Sequence, residues 1–469
     1  MNRPLVGKQP TFHRSKSRDN SYRILLWLFL IVGALWLLRS VESGEIKPLL
    51  VATPTPTRMA NSYIKEAEAY FAAGKLDDPN SENDAIDTYK LALEEDPEDA
   101  KTWADLARIQ TYSSNMLSTK EQILKRLEEA MSSADQAVKL ADDNAEVHAV
   151  RAFVLDWYAS YAPQKDKDEL LYQAEQDAVR AIQIDPNDPL ALSFYAEILL
   201  DQMKWTQAEQ YARQAVERDP SLMDPHRVYG TVLESLGDYE SAIQEYQEAV
   251  KITPNLTFLY IKIGVNYRYL AQGAHSEASA RPIYDQALEN FQKATGINDQ
   301  LGILDPIPYI AIAKTYTQMG EFFIAARNAE KALALDPTEA NTYGQLGIIY
   351  FKSKNYEYSL PALKCAVESC SAEENLVLKR MAEEYPQYGV QPVAVQGLPL
   401  DTQEVAYYYA EYGQVLAFLS LPSEDKNYCP QAYPVLSKVR EVFGSDDVLM
   451  SIVNGSEAYC RTLEGEITR

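Results

Sequence analysis

Histidine is nearly absent. The 469 residues hold four, His13, His148, His226 and His275. None stands in an HExxH pattern or pairs with another at metal-ligand spacing. No GxSxG, Walker loop or GxGxxG is present either. Carboxylates are plentiful, but no pair is set apart as an acid/base dyad. The chain is therefore read as non-catalytic, with no cofactor and no metal. Positive charge is also short: 44 Lys and Arg face 68 Asp and Glu, a net charge of -24. A nucleic-acid binder needs a basic face to displace counterions from phosphates, so that class is set aside. Such acidity suits a soluble surface and basic or neutral partners. With 46% hydrophobic and 24% charged residues, the chain can build a core and is not a disordered one. Cysteine is missing from the first two thirds, and all four, Cys365, Cys370, Cys429 and Cys460, lie near the C-terminus.

Long apolar runs are equally rare. One exists, ILLWLFLIVGALWLL from Ile24 to Leu38, between Arg23 and Arg39. Its 15 uncharged residues fall short of the ~20 of a typical spanning helix. Flanking Arg side chains can snorkel, however, and Trp27 and Trp36 suit membrane interfaces. A cleaved signal peptide has an apolar region of this length, but Arg39 follows directly and no A-x-A-like site is present. A buried soluble helix is the third alternative. The expectation is an uncleaved transmembrane signal-anchor over residues 24–38. Arg3, Lys8, Arg14, Lys16, Arg18 and Arg23 precede it, against Asp19 alone. By the positive-inside rule, residues 1–23 form a cytoplasmic tail of a single-pass cell-membrane protein, and the bulk of the chain is extracytoplasmic. Residues 39–60, with Pro54 and Pro56, read as a semi-rigid stalk.

What fills the rest is a repeat. Ala85, Tyr89, Ala92 and Pro97 return as Ala174, Ala178, Ala181, Pro186, then as Ala208, Ala212, Ala215, Pro220. The set recurs as Ala242, Tyr246, Ala249, Pro254 and as Ala325, Ala329, Ala332, Pro337. Two weaker copies end in Asp142 and Asp299, and Pro186, Pro220 and Pro254 stand 34 residues apart. Positions three or four apart share one helix face, so the small Ala residues let a second helix approach a first closely. Pro falls after the helix, where it cannot continue it. A first helix precedes each second one, as in Tyr229, Gly230, Leu233 and Gly237, or Tyr343, Leu346, Gly347 and Tyr350. This recurring frame resembles the tetratricopeptide repeat (TPR), which carries an aromatic, Leu-Gly, Tyr, then Ala, Phe, Ala, Pro over 34 residues. The resemblance covers residues 61–371, about eight units. It implies an all-α fold, a right-handed superhelical solenoid of helix pairs, preceded here by the single transmembrane helix. Extra residues sit between the paired helices of four units, and Lys120–Leu140 reads as a lengthened second helix. Residues 372–404 read as an irregular connector, and 405–469 as a divergent ninth repeat with a terminal capping helix.

The resemblance also implies a function. A TPR solenoid offers a concave groove that holds a protein or peptide. The expected role is a membrane-tethered extracytoplasmic scaffold that assembles complexes, with no small-molecule substrate. A self-assembling structural module, or an enzyme with its site in the C-terminal region, are the alternatives. In the TPR frame, the groove positions are filled by Arg227, Lys262, Arg268 and Lys314, with Phe194 and Tyr269 for apolar packing. Those cations suggest an acidic or C-terminal carboxylate segment as ligand, unless acids such as Asp224 or Glu234 pair with them. Cys429 precedes one helix and Cys460 lies late in the antiparallel cap, so a disulfide is expected there; Cys365 and Cys370 are close enough for a local one. Four free thiols are the alternative.

Overall fold

The computed structural model describes residues 21–42, 58–78, 83–117, 119–421 and 427–467. The tail to Asn20 and residues 43–57 of the expected stalk lie outside them. Two units are distinct, Met1–Arg58 and Met59–Arg469. In the first, α1 runs over Ser21–Glu42. Its side chains are exposed from Ser21 to Trp36, with only Gly33 half-buried. Among the described residues no helix is long and apolar enough to cross a membrane. The helix α1 has 22 residues, but the uncharged stretch Ile24–Leu38 covers only ~22 Å of a hydrocarbon layer about 30 Å thick. The stretch expected to span does form a helix; a transmembrane helix is not part of the described fold.

The second unit is all helix. Its pairs are α2 (Ala60–Ala72) with α3 (Ala85–Glu95), α4 (Ala100–Ser114) with α5 (Lys120–Leu140), α6 (Ala145–Tyr161) with α7 (Gln164–Ile184), and α8 (Pro189–Asp201) with α9 (Trp205–Arg218). They continue with α10 (Met223–Ser235) and α11 (Tyr239–Ile252), α12 (Thr257–Gln272) and α13 (Glu277–Leu301), α14 (Ile307–Gln318) and α15 (Phe322–Leu335), and α16 (Ala340–Lys352) and α17 (Tyr356–Glu368). No strand forms among the described residues; Cys370 and Val395 make an isolated bridge. The architecture is a TPR-like helical repeat solenoid.

The repeat letters have visible work. Ala208, Ala212 and Ala215 on α9 are fully buried, as are their equivalents Ala242 and Ala249 on α11. Glycine on the first helices serves the same approach from the other side. A Cβ on Gly264 would stand 2.5 Å from the buried Phe291 ring, and one on Gly347 would stand 2.5 Å from Leu363. An aromatic near the start of several first helices has a polar duty. Trp103 Nε1 donates to the Pro97 carbonyl, and the hydroxyls of Tyr260 and Tyr343 donate to those of Pro254 and Pro337. Each spans six residues and satisfies a carbonyl left open at the preceding helix end. His226 does the same through Nε2 to Pro220, and His148 to Asp142. Both histidines are thus aromatic donors in the repeat, their other nitrogens held by Glu245 and Asp177.

After α17 the chain departs from the repeat. A short α18 (Leu376–Glu384) and a single 3-10 turn (Pro386–Tyr388) lead into an extended stretch. Cys370 and Val395 exchange backbone hydrogen bonds of 3.0 and 2.8 Å. Then α19 (Gln403–Leu419), α20 (Cys429–Phe443) and α21 (Asp447–Ile467) close the array. The buried face of α19 presents Tyr408, Tyr409 and Tyr412, whose hydroxyls reach Asn341, the Leu398 carbonyl and Glu368.

Glu411 on α19 is the exception to this satisfied packing. Its Oε2 is buried without a hydrogen-bond partner. Burial pushes its carboxyl up to about 7, with Lys352 opposing weakly. The folded chain therefore holds this proton more tightly than the unfolded one does. The stabilisation is complete below pH ~4.5 and is lost as pH rises through about 7. Glu411→Gln should therefore raise the unfolding free energy by about 1–2 kcal/mol at pH 8 and change it little at pH 4. Urea titrations at the two pH values check this; an equal effect at both would remove the assignment.

Candidate functional site, a cavity enclosed by the first helices

The first helices α4, α6, α8, α10 and α12 turn their inner faces toward one another. Tyr112 of α4 sits at the centre, fully buried. Its hydroxyl donates to Asp224 Oδ1 of α10 at 2.5 Å and accepts from Arg227 Nε at 3.0 Å. Arg108, one turn earlier, reaches Asp224 Oδ2 at 2.7 Å. The Tyr112 ring stacks on Phe258 of α12 at 5.8 Å and tilts against Phe153 of α6 at 5.2 Å. Arg227 forms two parallel bonds to Glu197 of α8, at 2.7 and 2.6 Å. Its guanidinium lies over the rings of Tyr112, Phe153 and Trp157. Burial works against its charge, but Glu197 and Tyr112 outweigh this and hold it protonated. At the open end of α2, Asn255 Nδ2 donates to the Ala73 carbonyl at 3.0 Å. Gly74 there adopts φ of 74° and lies against Asn255 so tightly that a Cβ would overlap it at 2.6 Å. The first two helix pairs thus close onto the fifth and sixth, and the concave side narrows to a half-open pocket.

That space is a cavity of about 420 Å³. Its walls include the aromatic residues Tyr112, Trp157, Tyr161 and Phe258, the acids Asp156, Glu197, Asp201 and Asp305, and Arg227 and Lys262. The size is that of a small-ligand or side-chain pocket. Asp156 is 4% exposed, and its Oδ1 has no hydrogen-bond partner. Burial, then the charges of Asp201 and Glu197, push its carboxyl well above the usual range, with Arg227 opposing weakly. Asp201 is raised as well, by burial first and then Glu197, with a hydrogen bond to Asp156 and the charge of Lys167 opposing. Asp201 thus disfavours the ionised form of Asp156, while the hydrogen bond between them favours that of Asp201. Among the described residues, no three His, Cys, Asp or Glu are grouped so as to hold a metal ion.

The residues singled out from sequence are placed as follows. Arg227 and Lys262 line the cavity. Both are already paired, Arg227 with Glu197 and Lys262 Nζ with Glu234 at 3.0 Å. Lys314 pairs with Glu404 at 3.0 Å and does not line the cavity. Arg268 has Nε and Nη1 buried without partners beside Tyr269 and Tyr284, and burial lowers its affinity for the proton. Phe194 is 1% exposed and stacks on Phe153 at 4.4 Å, so it packs the interior. Tyr269 stacks on Tyr239 at 5.0 Å, away from the cavity walls. The cations are thus largely matched by acids from neighbouring helices, the alternative that the sequence leaves open, with Lys262 on Glu234 as named there. A buried unpaired Arg is costly, and so acidic a chain supplies partners at short range. Asp156 and Asp201 carry no signal in the sequence, because acids at the groove positions blend into a chain full of them. Cys365 and Cys370 stand with Cα atoms 4.9 Å apart, Cys429 and Cys460 5.6 Å, and each pair is joined as a disulfide.

Two family models match the chain. One, described as "Regulator of microtubule dynamics protein 1-3", covers residues 64–196, and one described as "Tetratricopeptide repeat" covers 196–256. The TPR repeat-containing protein YpiA of Bacillus subtilis is 23% identical over 303 residues, 59% of this chain and 69% of that protein. Hsp70-Hsp90 organizing protein 2 of Arabidopsis thaliana is 24% identical over 217 residues, 40% of this chain and 37% of that one. The chain thus spans well under half the length of this second relative. Among solved structures, one titled "Functional Characterization of Pseudomonas Aeruginosa pilF" aligns at 16% identity over 58% of this chain and 98% of that one, with a TM-score of 0.38. The tetratricopeptide model and the curated relatives support TPR units as the building block.

Proposed function

We propose that this protein is a non-catalytic TPR scaffold, tethered to a membrane by α1, that binds a protein or peptide partner within the cavity enclosed by its first helices. The observation that carries the reading is that cavity, walled by aromatic and charged side chains from consecutive units. Repeat solenoids bind along the surface their first helices line. The relatives named for TPR repeats and for organizing Hsp70 and Hsp90 are in keeping with a binding role. Tethering is supported by α1 itself. It is apolar all round its circumference and exposed, and a helix of that kind requires apolar surroundings. Arg23 and Arg39 extend its reach by snorkelling. The basic tail favours a cytoplasmic N-terminus, and paired cysteines suit an oxidising compartment beyond the membrane.

Ser160 is an exposed residue of the cavity wall, and its hydroxyl donates to the Asp156 carbonyl one turn earlier at 3.4 Å. Ser160→Trp should fill the cavity without altering helicity. Proteins crosslinked to the full-length wild type in membranes, and identified by mass spectrometry, should be depleted at least tenfold with the variant. Undiminished capture would place the partner surface elsewhere. Protease added to intact cells should remove the solenoid and leave a small membrane stub. Digestion only after lysis would reverse the orientation.

A further inference from the structure

We infer that the cavity is a receptor for an organic cation, a primary ammonium or guanidinium group on an apolar stem, received between the Asp156–Asp201 pair and the aromatic wall. This rests on the reading of the cavity as the partner site, and it names the chemistry of what enters.

Three observations converge. The charges of the cavity do not balance. Glu197 is consumed by Arg227, and Lys262 is held by Glu234, which is not part of the wall. Asp156 and Asp201 are left without a close cation of their own. Asp156 is almost wholly buried, lines the cavity, and has one carboxylate oxygen with no partner among the described residues. A buried oxygen of that kind normally has a donor, and an orphan asks for one from outside. The second observation is the wall. Trp157, Tyr161 and Phe258 offer ring faces and edges to an alkyl stem and its charged head. The third is a precedent within the same space. The Arg227 guanidinium already lies over Tyr112 and Trp157 at 5.5 and 5.9 Å while a carboxylate grips it. The ring cluster accommodates a cation when an acid accompanies it. On the far side the acids are present, and among the described residues no cation is ion-paired with them, although the charges of Arg227 and Lys167 act on them.

Entry of a cation competes with protonation of the pair, whose carboxyls burial pushes above the usual range. Asp156 is faced by Asp201 and Glu197 of α8 and by Arg227 of α10, and Asp201 also by Lys167 of α7. Of these the two cations oppose a guest charge and Glu197 favours it. Affinity should therefore rise with pH as the pair ionises.

The test uses the full-length chain in detergent and calorimetric titration. The probes are N-acetyl-lysine-N-methylamide, its neutral norleucine counterpart, the glutamate counterpart, and cadaverine as a free amine. The lysine probe should bind at least tenfold tighter than the norleucine and glutamate probes, and tighter at pH 8 than at pH 5.5. Asp156→Asn should weaken it tenfold or more, and Asp156→Asn with Asp201→Asn should abolish the charge preference, with helicity and melting retained as the check on folding. Binding by cadaverine and not by the lysine probe supports the cation site and assigns it to free amines. Equal binding of lysine and norleucine probes, or preference for glutamate, overturns the cation receptor and leaves the cavity as partner site. No binding by any probe overturns the cation receptor, and the Ser160→Trp capture decides the partner site.

Discussion

Asp224→Ala should lower the unfolding free energy of the protein by about 3–5 kcal/mol. Asp224 is 1% exposed and serves two groups at once, the Arg108 guanidinium and the Tyr112 hydroxyl. Without it, Arg108 remains buried with only the 3.5 Å contact to Asp105. Asp105 cannot replace the lost charge well. Burial pushes its own carboxyl up to about 6, and only Arg108 and Lys101 favour its ionised form. The variant thus strands a buried cation, and Tyr112 loses its acceptor. Asp224→Asn keeps an acceptor for Tyr112 and should recover part of the loss. Denaturant titration of both variants checks this. A loss below 1 kcal/mol for the alanine variant would show that water enters and solvates Arg108.

The second large effect lies at the other end. Replacing Cys429 and Cys460 together by Ser should cost roughly 3–4 kcal/mol of stability in the chain-entropy account, because the bridge closes 31 residues of chain. The pair joins the start of α20 to the late part of α21, and both sulfur-bearing residues are fully buried against Ala417. The loss should be local. Hydrogen exchange should accelerate in α20 and α21 and stay near wild type in α4 to α12. The bridge between Cys365 and Cys370 closes only 5 residues and should matter less, roughly 2 kcal/mol. Exchange unchanged in the terminal helices would mean that α19 alone holds them.

The repeat was legible because its determinants are local. Ala at every third or fourth place, a donor six residues after a Pro carbonyl, and Gly opposite a buried ring act within one helix pair. Each recurs often enough to read. The closure of α4 on α10 and α12 was not legible. It depends on the small rotation added by every unit, and no pattern in sequence sums those rotations. The groove positions show the same limit in part. Glu234 is legible as a partner for the groove cations, but Glu197, which takes Arg227, comes from an adjacent first helix whose approach depends on that curvature. Phe194 reads as a groove residue by its register, and yet it is sealed beneath Phe153. Asp156 carried no signal at all. One acid among 68 Asp and Glu is conspicuous only when its neighbours are known.

The bond from Arg108 to Asp224 joins residues 116 apart. A row of helix pairs in touch only with adjacent pairs can start folding anywhere and lengthen from there. This chain has an added step. The contacts of α4 with α10 and α12 form only once the intervening units are in place, and their loop must be closed before any gain is returned. Folding of the N-terminal half is therefore a ring-closing event, slower than growth of an open row. Once shut, it resists fraying from its first helices inward, as an open row would not.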